Sequence, residues 1–247
     1  MCTVVLLIRP DHAWPLVLAA NRDERLDRAW EPPAAHWPEH PGVVAGRDRT
    51  GGGTWLGMNS DGVVVAVLNR QGSLGPAAGK RSRGELPLIA LAHPTAAAAV
   101  RAVAALDAGE WRSFNLVVAD ATGAVFLRGL GHGRPQPSAL TPGLHMVTSR
   151  DPDDPESPRV ARHLARFVEA VPPVPGDWRA WQAILSDRSG KPGEQLNVVP
   201  RGGYGTVCSS LLALPQAGPP IWRFAAGAPH EAPFRRVGLP WAPSSAE

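Results

Sequence analysis

The residue with the clearest chemical potential in this sequence is the cysteine at position 2. Cys2 directly follows Met1, and its small side chain would allow an aminopeptidase to remove Met1. The trimmed chain would begin with a cysteine whose own α-amine, with a pKa of ~7.7–8.0, can take the proton of the thiol. The alternative is that Cys2 is a small apolar residue at the start of a strand. Position alone leaves both interpretations open.

Four consecutive polar residues, Asn21-Arg22-Asp23-Glu24, follow the apolar segment 16–20. Polar side chains at a strand end can face a cleft, where an arginine would lower the pKa of a thiol and an aspartate would orient an α-ammonium group. Neighbouring strand residues point to opposite faces, which predicts that Arg22 and Asp23 lie on different sides of the strand. The alternative is a solvated turn held by local salt bridges.

The segment 51–57 is rich in glycine and contains Gly53, Thr54 and Trp55. Glycines let a main chain approach a ligand or turn sharply, but no Gly-Lys-Ser/Thr follows, so a phosphate-binding loop is excluded. Asn69 follows the apolar run 63–68, and its amide or backbone N–H could stabilise an oxyanion, although a plain turn asparagine fits equally well. The candidate substrate contacts are Asn21, Glu24, Gly53, Thr54 and Trp55, of which Trp55 also fits a core position.

The elements that would hold these residues follow from hydrophobic periodicity. Apolar runs with β-branched residues predict strands at 3–8, 16–20, 54–58, 63–68, 114–119, 125–130, 144–148, 206–214 and 221–226. Segment 59–62 is a turn cluster and predicts a hairpin. Helices are predicted after a capping box at 82–85, from Thr95 to 106, at 158–171 with Val168 and Val171 on the apolar face, and from Asp177 to 185.

The alternation of strands and helices predicts two packed sheets with helices outside them, in a single domain of residues 1–247. The proline-rich segments 31–41 and 152–158 are expected to be surface loops, and 240–247 a frayed tail. Cys208 falls in a late predicted strand and is expected in the core.

Composition excludes several functional classes. The chain has only two cysteines and no Cys-x-x-Cys pair, so a disulfide scaffold, a zinc ribbon and any other metal site are not expected. Segment 1–8 lacks the flanks of a signal peptide, and no apolar run is long enough to span a bilayer, which favours the cytoplasm. The net charge is +3, and the arginines are scattered among acidic residues, so nucleic-acid binding is not expected either.

Taken together, the motifs resemble a known family. They occur in order at 1–3, 20–24, 52–57, 69, 83–86, 114–116 and 204–206, nearly the whole chain. In this order they are similar to the NRDE family, which includes the transport and Golgi organisation proteins of animals. The resemblance implies an α+β fold of four αββα layers, two mostly antiparallel sheets flanked by helices, of the N-terminal-nucleophile hydrolase type.

The sequence also resembles the N-terminal-cysteine acylases, such as bile salt hydrolases and penicillin V acylases. That resemblance implies a hydrolase of amide or thioester bonds in a small molecule, with Cys2 as nucleophile, Arg22 and Asp23 as its supports, Asn69 as an oxyanion contributor, and no cofactor. Two departures stand out: Thr148-Ser149-Arg150 lies where relatives often carry an asparagine, and Val207 lies where they often carry an arginine.

The family resemblance also implies an alternative role. NRDE proteins are linked to haem homeostasis and lipid metabolism, so the chain would be a non-catalytic protein that binds and traffics haem or an acyl thioester. Haem ligation has little support in the sequence, because His36 and His40 lie in a loop broken by tryptophan and proline. The expected partner is a small-molecule substrate or an apolar ligand.

Overall fold

Two antiparallel sheets form the centre of the structure, a computed structural model that describes residues 2–173 and 177–242. The six-stranded sheet contains, in spatial order, β10 (Gly143–Val147), β1 (Thr3–Ile8), β2 (Leu16–Arg25), β11 (Tyr204–Leu214), β12 (Ile221–Ala225) and β13 (Phe234–Arg236). The seven-stranded sheet runs in sequence order through β3 (Trp30–Ala34), β4 (Val43–Asp48), β5 (Leu56–Asn59), β6 (Val64–Asn69), β7 (Phe114–Asp120), β8 (Gly123–Gly129) and β9 (Gln136–Leu140).

Helices cover the outer face of each sheet. Against the seven-stranded sheet lie α1 (Glu85–Leu91) and α2 (Ala96–Ala104), and against the six-stranded sheet lie α3 (Pro158–Glu169) and α4 (Arg179–Leu185). The sheets are therefore apolar on both faces. On β1, Val4 and Leu6 pack between the sheets, whereas Val5 packs beneath the helices. Burial of each such side chain stabilises the fold by about 1.5–3 kcal/mol, and the predicted αββα order is confirmed.

Four strands were not expected from the sequence: β3, β4, β9 and β13. The segment 31–41 was expected to be a loop, and this is wrong at its start because β3 covers residues 30–34. Two prolines, Pro32 and Pro33, are tolerated there because β3 is an edge strand and its pairing with β4 is interrupted between Glu31 and Ala34. Of the predicted loop 152–158, residues 152–157 have neither helix nor strand, as expected, whereas Pro158 is the first residue of α3.

Helix ends differ from the sequence predictions in three places. The capping box is wrong, because Ser82 Oγ accepts from Gly84 N instead of capping α1. The cap at Thr95 is confirmed, since its side chain accepts from Ala98 N.

Two further helix ends differ. Helix α3 ends at Glu169, and Val168 and Val171 are 64% and 75% exposed, so neither lies on a buried face. The N-cap residue of α4 is Trp178, not Asp177. The expected frayed tail falls partly outside the described residues, which end at Ala242. Within the described ranges, no helix combines the length and apolar character needed to cross a membrane.

Candidate active site

Cys2 lies at one end of the space between the sheets, just before β1. Its side chain is half-buried and packs against the inter-sheet core, on the same face as Val4. A small cavity opens beside it, lined by side chains of both sheets, among them Arg22, Trp55, Leu68 and Cys208. The first strand therefore carries the thiol into the interior.

The Cys2 thiol has one described hydrogen bond. Its Sγ donates to the main-chain oxygen of Asp23 at 3.8 Å, and the hydroxyl of Tyr204 donates to the same oxygen at 2.9 Å. Burial raises the pKa of the Cys2 thiol above its usual range, and the nearby positive charge of Arg22 lowers it by less. The thiol is thus protonated near neutral pH and needs a base to become a nucleophile.

Arg22 points into the same inter-sheet space. Its side chain is 5% exposed, and its Nη2 donates to Asp48 at 3.0 Å. The guanidinium carbon lies 4.3 Å from the centre of the Trp55 ring, a cation–π contact. Within residues 2–173 and 177–242, the buried Nη1 has no hydrogen-bond partner. Since a buried donor without a partner costs about 1–3 kcal/mol, this N–H group is suited to a bound polar group.

Asp48, which the sequence reasoning missed, fixes the position of Arg22. One carboxylate oxygen accepts from Arg22 and from Arg28 Nε at 2.7 Å. The other oxygen accepts from the main-chain amides of Thr50 and Gly51. An aspartate shortly before a glycine-rich turn is a recognisable signal for the second pair of bonds. The link to Arg22 had no such signal, because β4 was not predicted.

Asp23 points away from the thiol, to the helix-covered face of β2. Its carboxylate accepts from Arg159 Nη1 at 2.8 Å and from Thr206 Oγ1 at 2.6 Å. The same arginine donates to Thr3 Oγ1 at 2.9 Å. The prediction that Arg22 and Asp23 lie on opposite sides is confirmed. Arg159, on α3, was not predicted as part of this arrangement.

A β-bulge adjusts β11 next to the site. Thr206 pairs with Asp23 and Cys208 pairs with Arg22, so Val207 is the additional residue. Val207 and Cys208 both belong to the buried inter-sheet core, which confirms the expected core position of Cys208. Burial raises the pKa of the Cys208 thiol far above its usual range, so this second thiol is unreactive near neutral pH.

Two of the proposed substrate contacts make hydrogen bonds that hold the fold together, and of these two Asn21 also lines the cavity whereas Thr54 does not. Asn21 Nδ2 donates to the main-chain oxygens of Leu185 and Leu196, both at 2.9 Å, so both amide hydrogens are used. The Thr54 hydroxyl bonds to the main chain of Leu56. Glu24, in contrast, is 27% exposed and lies 3.9 Å from Arg22, beside the cavity.

Asn69 is the last residue of β6 and is half-buried. It pairs with Phe114 across the sheet and directly follows Leu68, which lines the cavity. The hydrogen bonds of the described residues do not connect its side chain to Cys2. Its contribution to an oxyanion hole therefore stays a prediction.

Asn115, one residue further along β7, bridges the sheets. Its Nδ2 donates to the main-chain oxygens of Thr148 and Arg150. Sequence reasoning used residues 114–116 only as part of the family pattern and gave Asn115 no role. The Ser149–Arg150 segment is thus tied to the opposite sheet.

Gly53 makes a close backbone contact that no side chain would allow. A Cβ at this position would lie 2.2 Å from the carbonyl carbon of Gly84, and Thr54 N donates to Gly84 O at 2.9 Å. We expect Gly53→Ala to lower the free energy of unfolding by about 1–3 kcal/mol, measured by urea denaturation. Gly238→Ala is the matched control, because a Cβ there meets nothing within 4 Å. Equal stability of the two variants would contradict this packing role.

His36 and His40, the histidines considered for haem, lie in the segment after β3 and are not among the residues that line the Cys2 cavity. His36 Nε2 bonds to the main-chain oxygen of Pro32 at 2.8 Å. In the part of the chain that the structure describes, no three His, Cys, Asp or Glu side chains are grouped so that they could hold a metal ion.

The four-layer sandwich, with a cysteine entering its first strand, defines the fold of the N-terminal-nucleophile hydrolases. An N-acylethanolamine-hydrolyzing acid amidase ortholog of Caenorhabditis elegans is similar, with a TM-score of 0.61, 14% identity, and coverage of 87% of this chain and 94% of that one. A variant of the conjugated bile acid hydrolase from Clostridium perfringens has a TM-score of 0.56, 14% identity, and coverage of 97% and 93%. Penicillin V acylase from Agrobacterium tumefaciens has a TM-score of 0.51 and 14% identity, and the match covers 96% of this chain and 98% of that one.

The chain belongs to the Transport and Golgi organisation 2 family, whose model matches residues 1–219. The human Transport and Golgi organization protein 2 homolog is 32% identical over 160 residues, which are 60% of this chain and 57% of the human one. The mouse homolog is 31% identical over the same shares. The chain thus spans somewhat more than half the length of these relatives.

Proposed function

We propose that this protein is an N-terminal cysteine hydrolase that cleaves the C–N bond of a small-molecule amide, or the corresponding bond of a thioester. The observation that carries the proposal is the cavity that Cys2 and Arg22 line together, since the buried Nη1 of Arg22 has no hydrogen-bond partner among the described residues. Removal of what precedes Cys2 would supply the missing base.

The reaction needs one proton carrier and two covalent steps. The freed α-amine takes the thiol proton, and the sulfur attacks the carbonyl carbon of the substrate. The C–N bond then breaks while the α-ammonium returns its proton to the leaving amine. Water attacks the resulting acyl thioester, the S–C bond breaks, and a carboxylic acid and the free thiol remain.

Four residues have roles in this proposal. Arg22, with main-chain N–H groups and Asn69, stabilises the oxyanion that forms on the carbonyl oxygen. Asp23 supports the nucleophile through its main-chain oxygen, which accepts from the Cys2 thiol. The names of the similar solved structures, an amidase, an acylase and a hydrolase, describe those proteins and support the same class of reaction here.

The alternative of a haem carrier fits the Cys2 cavity poorly. The cavity leaves about 10 Å³ for the centre of a water-sized molecule, which is room for about one water. A porphyrin is many times larger. We therefore favour the covalent reaction over storage of a large apolar ligand at this site.

Processing should change the pH dependence of the thiol. In a chain that retains Met1, the raised pKa of Cys2 keeps the thiol protonated at neutral pH, so alkylation by iodoacetamide should be slower than in the urea-unfolded chain and should rise only at alkaline pH. In the trimmed chain, the α-amine should restore the rate near neutrality. Alkylation rates measured from pH 6 to 10 on both forms check this, and identical profiles would contradict it.

Intact-mass measurement tests the function itself. The native protein should lack Met1, and incubation with an activated acyl ester should add one acyl group, located on Cys2 by peptide mapping. A native protein that retains Met1, or a trimmed protein that never becomes acylated on Cys2, would rule out the hydrolase mechanism.

A further inference from the structure

The cavity beside Cys2 is closed on one side by a tryptophan that three neighbours hold in place. Trp55 lies against Arg22, and its ring centre is 5.9 Å from that of Trp30 in an edge-to-face contact. A Cβ on Gly46 would lie 2.4 Å from two ring atoms of Trp55, so the indole rests directly on the backbone of β4. Its main-chain oxygen accepts from Val67 N at 2.9 Å. The position of the Trp55 ring is therefore fixed both by the hydrogen bond of its own backbone and by contacts with its neighbours.

The other walls of the cavity cannot move aside easily. Val4, Ala20, Leu56, Ala66 and Leu68 come from hydrogen-bonded strands in the interior of the two sheets, and each is buried. Shifting any of them would disturb the strand pairing around it. Trp55 is only half-buried and precedes β5, so it is the wall whose position sets the size of the space.

We infer that Trp55 limits the acyl group of the substrate to one or two carbons, which makes formyl and acetyl amides or thioesters the substrate class. This inference rests on the proposed function. The space holds about one water, enough for a methyl group on an acyl carbon bound to Cys2 Sγ, whereas a longer chain would meet the Trp55 ring.

Two activated esters that differ only in chain length test the inference. The trimmed protein is incubated with p-nitrophenyl acetate or p-nitrophenyl octanoate, and acylation of Cys2 is followed by intact mass and by release of p-nitrophenolate. The acetyl ester should react at least about 10-fold faster than the octanoyl ester, because a pocket discriminates by about this factor for even one methylene. The ratio is corrected for the intrinsic reactivity of each ester with free cysteine.

Trp55→Ala should raise the octanoyl rate relative to the acetyl rate by at least about 10-fold. Trp55→Phe keeps a ring beside Arg22, so it should raise the octanoyl-to-acetyl rate ratio by a smaller factor. This variant replaces Trp55→Ala in the test if the alanine variant does not fold. Trp241→Ala is the matched control, since this half-buried tryptophan also packs on the inter-sheet core but lines a different cavity. It should leave the ratio unchanged.

The outcomes separate the two claims. Equal rates for the two esters in the unmodified protein, or a Trp55→Ala ratio like that of Trp241→Ala, would overturn the size limit while leaving the hydrolase proposal intact. Failure of both esters to acylate Cys2 would overturn the hydrolase proposal and, with it, the size limit.

Discussion

Cys2→Ala is expected to reduce turnover of any amide or thioester substrate by at least about 10³-fold, because it removes the only atom that the proposed mechanism uses to form a covalent intermediate. The fold should persist, since alanine keeps the apolar contact with the inter-sheet core. The measurement is kcat/KM of the trimmed protein, together with the loss of acyl transfer from an activated ester.

Cys208→Ala is the matched control for this variant. Both cysteines line the same cavity, but Cys208 lies inside β11 and has no α-amine of its own, and burial raises the pKa of its thiol far above the usual range. Its replacement should leave Cys2 acylation within about 10-fold of the unmodified protein, the effect of one small change in a pocket wall. Turnover that survives Cys2→Ala would mean that the chemistry is carried by another residue.

The sequence was informative wherever a pattern is local. The apolar run 3–8 was enough to place Cys2 at the entry of a buried strand. The polar run at 21–24, read with the two-residue period of a strand, was enough to put Arg22 and Asp23 on opposite faces. Position 2 alone then distinguished Cys2 from Cys208 as the thiol with a possible built-in base.

The residues that hold the site were not accessible in the same way. Asp48 reaches Arg22 from the other sheet, and Arg159 reaches Asp23 from a helix more than a hundred residues away in the chain. Such pairs exist only once the sheets and helices have packed, and they leave no local signature. The capping box failed because its two side chains have other partners: Ser82 Oγ accepts from Gly84 N, and the Glu85 carboxylate accepts from Arg81 Nε.

Arg159→Met should lower the free energy of unfolding by about 3–5 kcal/mol, because it leaves the Asp23 carboxylate buried without its arginine. Asp23 and Arg159 side chains are 0% and 4% exposed, and their atoms are 2.8 Å apart. Urea denaturation measures the change. Arg25→Met provides the control, since Arg25 and Asp27 form a close pair that is 62% and 67% exposed, and breaking an exposed pair costs at most about 1 kcal/mol.

A double variant decides whether the loss comes from removing the arginine charge that faces the buried Asp23 carboxylate. In Asp23→Asn with Arg159→Met, the buried charge is gone, so stability should recover a large part of the single-variant loss. If stability does not recover, Arg159 stabilises the protein instead through its hydrogen bond to Thr3 and through the packing of its own buried side chain. Because Thr3 directly follows Cys2, that result would make Arg159 the residue that anchors the strand end carrying the thiol, and Cys2 alkylation in folded Arg159→Met should then be faster than in the unmodified protein.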